Sequence, residues 1–451
     1  MGTSFNLSAV VSHIDANRSV KELIMARIKR QGQRQRISVT DLTSLKQAYF
    51  KRKFPDILPP LERQQLMWSG TGFHQLFGAA VSREEYLEQF VEVDGVVGRI
   101  DIYEDIPTEI KTTGSLVDEG DIKRKRPYYL EQLGFYCAMV NNAEGRVVIY
   151  QRSASPEQSL AAFRVTFSDL SAIITEMRRR RDLLLEALEK GDPSRLPVCP
   201  WGNWQCDYST VCDCRASMVP ASKEVLAQVS TIEADEAAVH HLVEKLAAKT
   251  GSVKPPRLND LVFPRKAYLA RIKQRDAHDE EAIDTEEEAA ERLVSMERTG
   301  FLGVIRDAVK YGLPGETQHV PLKSGPLEDM LLLNDGMPIV VRNARLNSVV
   351  ERSNLPRVFS HYIMRLAMEC GLTNQRRGRL IVYYEKVLQE DAKLMVYDIS
   401  FKDTETLKAE ALRRLNLLET ANQVDELPAC PDWMCRYCRE SASCSPGADT
   451  A

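Results

Sequence analysis

The chain has 451 residues, of which 43 % are hydrophobic and 27 % charged, and its formal net charge is −4. This length is too great for one compact core, so we expect two domains. The composition excludes a disordered or fibrous protein, and the weak negative charge excludes a uniformly basic coat for nucleic acid. No apolar run of about 18 residues exists to span a bilayer, and residues 1–30 lack the apolar core of a secretion signal. We therefore expect a cytoplasmic protein without a membrane partner.

The first half of the chain predicts an α/β pattern. Helices come first, and apolar strands follow near residues 90–103, 107–112 and 145–150. The strand at 96–103 and the strand at 107–112 are separated by the short segment EDIP, so they should form a hairpin. A long helical stretch, IITEMRRRRDLLLEALEKG (173–191), precedes a cysteine-rich end.

The second half repeats these segments in the same order. The matched segments are VTDLTSLKQAYF (39–50) with LNDLVFPRKAYL (258–269), TGFHQLFG (71–78) with TGFLGVIR (299–306), YYLEQLGFYC (128–137) with HYIMRLAMEC (361–370), GRVVIY (145–150) with GRLIVY (378–383), the helix at 173–191 with LKAEALRRLNLLETANQ (407–423), and the cysteine-rich ends at 196–214 and 427–444. Six matches in one order make chance similarity improbable. We therefore predict two domains, 1–216 and 217–451, each with a central mixed sheet flanked by helices.

An acid and a lysine stand in strands of the first half that should be buried. In GRIDIYEDIPTEIKTTG (98–114), Asp101 and Glu109 can supply the oxygen ligands that Mg²⁺ prefers. Glu109 and Lys111 are two residues apart on one strand and share a face, while Ile110 turns into the core. Lys111 would then orient or deprotonate an attacking water. An exposed strand with Glu and Lys toward solvent explains these residues alone equally well.

Three further side chains favour the chemical interpretation. His74 follows an expected glycine turn in SGTGFHQ and offers an imidazole ligand. Gln132 and Tyr136 lie four apart on a helix, hence on one face, where they can hold a phosphate or the scissile strand.

This order of motifs resembles that of the RecB-type nucleases of the PD-(D/E)xK superfamily, which include the CRISPR adaptation exonucleases. The resemblance covers residues 38–214 and consists of G-x-H, D, E-x-K, Q-x-x-x-Y and a cysteine cluster. It implies a nuclease-like fold in each half and a deoxyribonuclease that depends on Mg²⁺ or Mn²⁺ and acts on single-stranded DNA or DNA ends. It also implies roles for individual residues: His74, Asp101, Glu109 and the backbone carbonyl of Ile110 as metal ligands, Lys111 beside the water, and Gln132 with Tyr136 as DNA contacts.

The second half departs from this pattern at every site position. The residues that stand against His74, Asp101, Glu109, Lys111, Gln132 and Tyr136 are Leu302, approximately Met330, Val340, Arg342, Arg365 and Glu369. We expect a degenerate copy that supports folding, holds DNA or restricts access to the first half. An inert structural repeat is an equally good interpretation.

Eight of the ten cysteines form two clusters. Their members are Cys199, Cys206, Cys212 and Cys214 in the first half and Cys430, Cys435, Cys438 and Cys444 in the second. The resembling family joins one early cysteine to three late ones in a 4Fe–4S cluster, and this chain lacks the early one. Four local thiolates suit either a 4Fe–4S cluster or zinc, and the scarcity of Cys-x-x-Cys pairs favours iron–sulfur in both halves. Either metal would have a structural role.

A second function class stays open: a catalytically silent DNA-binding or assembly subunit of a recombination or defence complex. No P-loop of the form G-x-x-x-x-G-K-[ST] occurs in the sequence, so unwinding by ATP would need a helicase partner. Basic runs at 27–36, 123–126 and 178–181 are either phosphate contacts or solvated surface.

Overall fold

The computed structural model of the chain describes residues 5–29, 36–59, 61–199, 206–212, 219–248, 255–276, 285–435, 438 and 444. Within them the helices are α1 (Leu7–Val10), α2 (Arg18–Lys29), α3 (Val39–Leu42), α4 (Leu45–Lys53), α5 (Leu61–Val81), α6 (Glu119–Lys125), α7 (Pro127–Met139), α8 (Leu170–Lys190), α9 (Glu224–Ala227), α10 (Glu236–Ala247), α11 (Leu258–Val262), α12 (Pro264–Asp276), α13 (Thr285–Gly312), α14 (Leu355–Val358), α15 (Ser360–Leu372), α16 (Thr404–Thr420) and α17 (Asp432–Cys435). The strands are β1 (Val11–Ala16), β2 (Ile37–Ser38), β3 (Leu87–Val93), β4 (Val96–Tyr103), β5 (Pro107–Thr113), β6 (Glu144–Gln151), β7 (Leu160–Phe167), β8 (Val229–Ala234), β9 (Thr317–Ser324), β10 (Leu327–Asn334), β11 (Met337–Ala344), β12 (Arg377–Tyr384) and β13 (Leu394–Phe401). None of the helices within these ranges is both long enough and apolar enough to cross a bilayer.

Two compact units divide the chain. The central unit comprises the described residues within 31–248 and 283–304, and the terminal unit those within 1–30, 249–282 and 305–451. This division differs from the predicted single boundary between residues 216 and 217. The reason is that β8 pairs with β7 and so completes the central sheet, while β1 pairs with β13 in the terminal sheet.

The central sheet is mixed, and its order is β2, β4, β5, β6, β7, β8, with β3 paired to the other side of β4. Strands β4 and β5 are antiparallel, with Ile102 opposite Thr108 and Tyr103 opposite Pro107, which confirms the hairpin expected at EDIP. Strands β5 and β6 are parallel. The apolar run in β6 is buried on both faces, as is typical of an interior strand: Val147 and Ile149 face the core under α7 and α8, and Val148 faces the core under α5.

The terminal sheet has the order β1, β13, β12, β11, β10, β9 and the same mixture of directions, with β11 and β12 parallel. Each unit is therefore an α/β structure with a mixed sheet and flanking helices, as the sequence predicted.

Equivalent positions of the two sheets confirm the alignment of the repeats. Lys111 pairs with Ile149 in the central sheet, and Arg342 pairs with Val382 in the terminal sheet. Ile149 and Val382 hold the same place in GRVVIY and GRLIVY. The glycines that begin these two segments also share an environment, because a Cβ on Gly145 would lie 2.6 Å from Cys137 Sγ and one on Gly378 2.8 Å from Cys370 Sγ.

One further repeat escaped the sequence comparison. The segment VSHIDAN (11–17) forms β1 and ends at the residue before α2, and VSTIEAD (229–235) forms β8 and ends at the residue before α10. Each strand completes the edge of one sheet. The repeating block thus carries its last strand and helix after the cysteines in the central unit, but at the beginning of the chain in the terminal unit.

Candidate functional site

The six side chains predicted to form a site line one cavity of the central unit, with a volume of about 880 Å³. His74 comes from α5, Asp101 from β4, Glu109 and Lys111 from β5, and Gln132 and Tyr136 from α7. Ile110 lies between the two β5 side chains and is 1 % exposed, so it turns into the core as its place in the strand requires. The fold brings together residues that are up to 62 positions apart in sequence, from His74 to Tyr136.

His74 lies inside a continuous helix, and the glycine turn expected before it is wrong. Helix α5 runs through Gly70 and Gly72 without interruption. A Cβ on Gly72 would lie only 2.1 Å from the carbonyl oxygen of Gly300 on α13. Glycine is therefore needed at this position for close contact between two helix backbones rather than for a turn.

Asp101 is fixed by the next strand. Its Oδ2 accepts a hydrogen bond of 2.7 Å from the backbone N–H of Ile110, and it lies 3.6 Å from His74 Nδ1. The carboxylate is thus held between the helix that carries His74 and the strand that carries Glu109.

Glu109 is a buried carboxylate, and only one of its two oxygens has a hydrogen-bond partner among the described residues. Lys111 Nζ donates to Oε1, and Oε2 is buried with no hydrogen-bond partner among the described residues. Burial, followed by repulsion from Asp101, raises the pKa of Glu109 to about 8 against the opposing influence of Lys111. A buried carboxylate oxygen without a partner is costly, and a cation would satisfy it.

Lys111 is held in place by its neighbours. Besides Glu109, its Nζ donates to Gln132 Oε1 at 3.0 Å and lies 5.4 Å from the ring centre of Tyr129. Gln132 in turn donates from Nε2 to the hydroxyl of Tyr136 at 3.3 Å. The Gln132 amide thus joins Lys111 to Tyr136 and helps to hold Lys111 in place. Contact between Gln132 and DNA stays a prediction.

Two further residues of this cavity bear on its chemistry and were not predicted from the sequence. Glu88 on β3 lies opposite Asp101, between the pairs Leu87 with Ile102 and Gln89 with Ile100, and has a positive φ of 49°. Burial and repulsion from Asp101 raise its pKa. The signal that could have found it is the dipeptide Asp94-Gly95, which marks a two-residue hairpin turn and thereby fixes this register. Gly98 is the second of these residues. A Cβ at this position would lie 2.6 Å from the ring of Tyr136, so only glycine leaves room for that ring.

The donor set suits a hard divalent cation. Asp101, Glu109 and Glu88 bring carboxylate oxygens to one cavity, and His74 brings a nitrogen. As the side chains stand, no three His, Cys, Asp or Glu residues within the described ranges converge as a complete metal site.

The terminal unit carries other chemistry at the equivalent positions. Val340 is buried, and Leu302 lies on the part of α13 that belongs to the central unit. The strand pairing sets buried Leu331 against Asp101, one residue from the approximate match at Met330, which is exposed. Arg365 Nε donates to Glu369 Oε1 at 2.9 Å, and its Nη2 donates to Asp329 Oδ2 at 3.2 Å.

One cysteine of each unit lies near the start of an early helix of that unit, Cys199 near α4 and Cys430 near α12. Cys199 Sγ lies 3.1 Å from the hydroxyl of Ser44, which precedes α4, and interacts electrostatically with Cys206. In the terminal unit Cys430 lies near Cys438 and Cys444 and accepts hydrogen bonds from the backbone of Arg265 and Lys266 in α12. Cys212 is buried, Cys435 ends α17, and Cys214 lies outside the described residues.

The run of four arginines at 178–181 is used within the central unit. Arg178 pairs with Asp94 at 2.7 Å, Arg179 with Glu176 at 2.6 Å, and Arg181 with Asp182 at 2.7 Å. Arg180 is buried and binds both Glu176 and Glu131. These pairs favour a structural role. At 123–126, Arg124 and Lys125 pair with Asp121, and residues 30–35 of the first run lie outside the described ranges.

Comparison with known proteins gives little. No protein-family model and no curated protein matches the chain. One solved structure, described as "Crystal structure of SSO0001", aligns with 43 % of this chain and 93 % of its own at 18 % sequence identity, with a TM-score of 0.29. A likeness at that TM-score carries no argument about fold or function.

Proposed function

We propose that the central unit is a divalent-metal-dependent deoxyribonuclease of the RecB-type PD-(D/E)xK class. The observation that carries the proposal is the buried Glu109 carboxylate, which has one oxygen on Lys111 and the other without a protein partner, beside Asp101 and His74 in an open cavity. A solvent-facing Glu and Lys, the plain alternative, does not fit a carboxylate that is 2 % exposed.

The residues of the site divide the work by their chemistry. Asp101, Glu109, the carbonyl of Ile110 and the imidazole of His74 hold Mg²⁺ or Mn²⁺. When bound, the cation neutralises the phosphate and activates water for hydrolysis. Lys111 orients the attacking water or accepts its proton, and Gln132 and Tyr136 keep Lys111 in place and border the path of the DNA.

Other parts of the chain have supporting roles in this proposal. Cysteine clusters in both units hold 4Fe–4S clusters, or zinc, and stabilise the structure. The terminal unit takes no part in the chemical step and supports folding or holds DNA. The substrate is single-stranded DNA or a DNA end, and a helicase of a recombination or defence complex is the partner that would supply it.

The first test is cleavage of end-labelled linear and circular DNA, single- and double-stranded, with Mg²⁺, Mn²⁺ or EDTA. We expect metal-dependent cleavage by the wild type, and a loss of at least about 100-fold in Lys111→Ala, because general acid–base groups contribute that much. Glu109→Gln should lose at least as much, because it removes a charged ligand of the cation that activates the water. Circular dichroism should show both variants folded, and Lys111→Ala should have the lower melting temperature of the two, because it removes the lysine partner of a buried carboxylate.

Matched controls come from a surface pair of the same two residue types. Glu186 and Lys190 form an ion pair of 2.6 Å on α8. Glu186→Gln and Lys190→Ala should cleave as the wild type does. Near wild-type cleavage by both site variants would contradict the proposal, and absence of cleavage by the wild type under every condition would favour the silent DNA-binding subunit.

A further inference from the structure

Three arginines of the terminal unit meet where the central unit has its acids and lysine. Arg342 on β11 takes the place of Lys111, and Arg365 on α15 takes the place of Gln132. Arg306 joins them from the last two turns of α13. Two carboxylates, Asp329 and Glu369, face three guanidinium groups, so this cluster carries an excess of positive charge.

The two carboxylates are both bound by one arginine. Arg365 donates to Asp329 at 3.2 Å and to Glu369 at 2.9 Å. Among the described residues, Arg342 donates only to the carbonyl of its neighbour Val341, at 2.9 Å, and its guanidinium lies 5.8 Å from the ring centre of Tyr362. Arg306 has no hydrogen-bond or ion-pair partner in the described part of the chain.

The surroundings of Arg306 and Arg342 disfavour their charged forms. Burial, followed by repulsion from Arg365 and Arg306, lowers the pKa of Arg342 to about 10. Burial and repulsion from Arg365 also lower the pKa of Arg306. Glu369 attracts both Arg306 and Arg342, and Asp329 attracts Arg306, but two carboxylates do not balance three guanidinium groups. Desolvated like charges in excess of their counterions oppose folding, and an anion placed between them would reduce that penalty.

We propose that Arg306, Arg342 and Arg365 bind a phosphate group. Guanidinium groups donate paired, planar hydrogen bonds that match phosphate oxygens, and the Tyr362 ring supports the plane of Arg342 from one side. The degenerate site has thus changed from a place for a cation into a place for an anion. That the phosphate belongs to a DNA strand rests on the proposed function, whereas the anion site itself does not.

The test uses the full chain in EDTA, so that binding is measured without cleavage. Melting temperature is compared in millimolar sodium phosphate and in sodium chloride of equal ionic strength, and the affinity for a short single-stranded oligonucleotide is measured by fluorescence anisotropy over a range of salt. The variants are Arg306→Gln and Arg342→Gln. The control is Arg345→Gln, an exposed arginine of the same unit that pairs with Glu385.

We expect phosphate to raise the melting temperature of the wild type and the control but not of the two site variants. Without phosphate, Arg306→Gln should melt no lower than the wild type, because burial of Arg306 and its repulsion from Arg365 outweigh its attraction to Glu369 and Asp329. Oligonucleotide affinity should fall about ten-fold in each site variant, and the salt slope should decrease by about 0.7 for each lost phosphate contact.

The alternatives give different results. If phosphate stabilises the wild type alone but all variants bind the oligonucleotide equally, the site takes free phosphate and the DNA assignment is wrong. If phosphate stabilises every variant alike, or Arg306→Gln melts lower without phosphate, the anion site is wrong. Failure of the wild type to cleave DNA would contradict the proposed nuclease function and would not affect the interpretation of these binding results.

Discussion

Glu109 should make the stability of the metal-free protein depend on pH. Its pKa is raised from 4.5 to about 8 in the folded state, mainly by burial. A raised pKa means that the folded state binds the proton more tightly, so this stabilisation is complete below about 4.5 and is lost as pH rises toward 8. We expect the melting temperature of the wild type in EDTA to fall over this interval more than that of Glu109→Gln. Parallel curves for the two proteins would contradict the raised pKa.

Gly98 should be as necessary to the site as the charged residues. A methyl group there would meet the ring of Tyr136 at 2.6 Å and the side chain of Val39 at 3.2 Å, so alanine must displace the tyrosine that holds Gln132 and, through it, Lys111. We expect Gly98→Ala to reduce cleavage about ten-fold or more and to destabilise the protein by about 1–3 kcal/mol, the usual cost of overpacking. Cleavage assays and denaturant unfolding measure the two effects.

The control is Gly114→Ala, at a glycine whose added Cβ would meet nothing within 4 Å. Full activity of Gly98→Ala would show that the position of Tyr136 has no influence on the reaction.

At this scale the motif spacing predicted which residues of the first half would lie together. His74, Asp101, Glu109, Lys111, Gln132 and Tyr136 line one cavity as expected. Glu88 and Gly98 could not be found in the same way, because their importance depends on strand register and on the space around one ring. The roles of all these residues stay predictions until the variants are measured.

Single polar residues match each edge strand to its own sheet. Asn17, after β1, donates to Asp398 Oδ2 at 2.8 Å, and that aspartate also binds Arg379. Asp235, after β8, accepts from Arg146 Nε at 2.8 Å and lies 3.7 Å from Arg164. In the terminal sheet the amide of Asn17 therefore faces the carboxylate of Asp398. In the central sheet the carboxylate of Asp235 faces Arg146 and Arg164.

We expect Asn17→Ala and Asp235→Ala to weaken opposite units. Each change removes a charged hydrogen bond together with the bond that caps the following helix, at a cost of about 1–3 kcal/mol. Hydrogen–deuterium exchange should become faster in β13 for Asn17→Ala and in β7 for Asp235→Ala. Faster exchange in the other strand would mean that the pairing of edge strands with sheets is different in solution.

Some elements were predicted for the right reason and others were not. The two strands of the EDIP hairpin are separated by a short segment, so the local pattern was sufficient to predict their pairing. The glycines before His74 indicated a turn because sequence alone does not show that Gly300 comes within contact of Gly72. Tertiary contact thus changed the meaning of the same residues.

The metal content of the whole chain should be shared equally between the two units. If both cysteine clusters hold 4Fe–4S, protein purified without oxygen should be brown and contain about eight irons, four per cluster. We expect Cys206→Ser and Cys438→Ser each to remove half of the metal, as measured by elemental analysis and visible absorption. Colourless protein with about two zinc ions would change the metal and keep the architecture.

Cys137→Ser is the control for this experiment, since its thiol is buried against Gly145 and outside both clusters. If the wild-type protein contains neither metal and is stable to chelators, the proposal that these cysteines bind metal is wrong.

At the scale of the whole molecule, the sequence predicted the internal repeat but not where each repeating unit begins and ends. The common order of the matched segments predicted two similar sheets, which the structure has. The division near residue 217 assumed that each repeat is continuous, whereas β1 belongs with β13. Pairing between distant strands leaves no local signal, and only the likeness of VSHIDAN to VSTIEAD indicated that the order had been permuted.

The pairing of β1 with β13 has a consequence for synthesis on the ribosome. Asn17 and its partner Asp398 are 381 residues apart, so at ordinary elongation rates β1 leaves the ribosome roughly 20–75 seconds before its strand partner exists. The central sheet, by contrast, is complete once β8 has emerged. During this interval β1 is a nascent strand without a sheet, and the edge of β7 is open to it until β8 arrives. The arginines beside β7 favour Asp235 over Asn17 and so protect the growing chain from closing the wrong sheet with its own first strand.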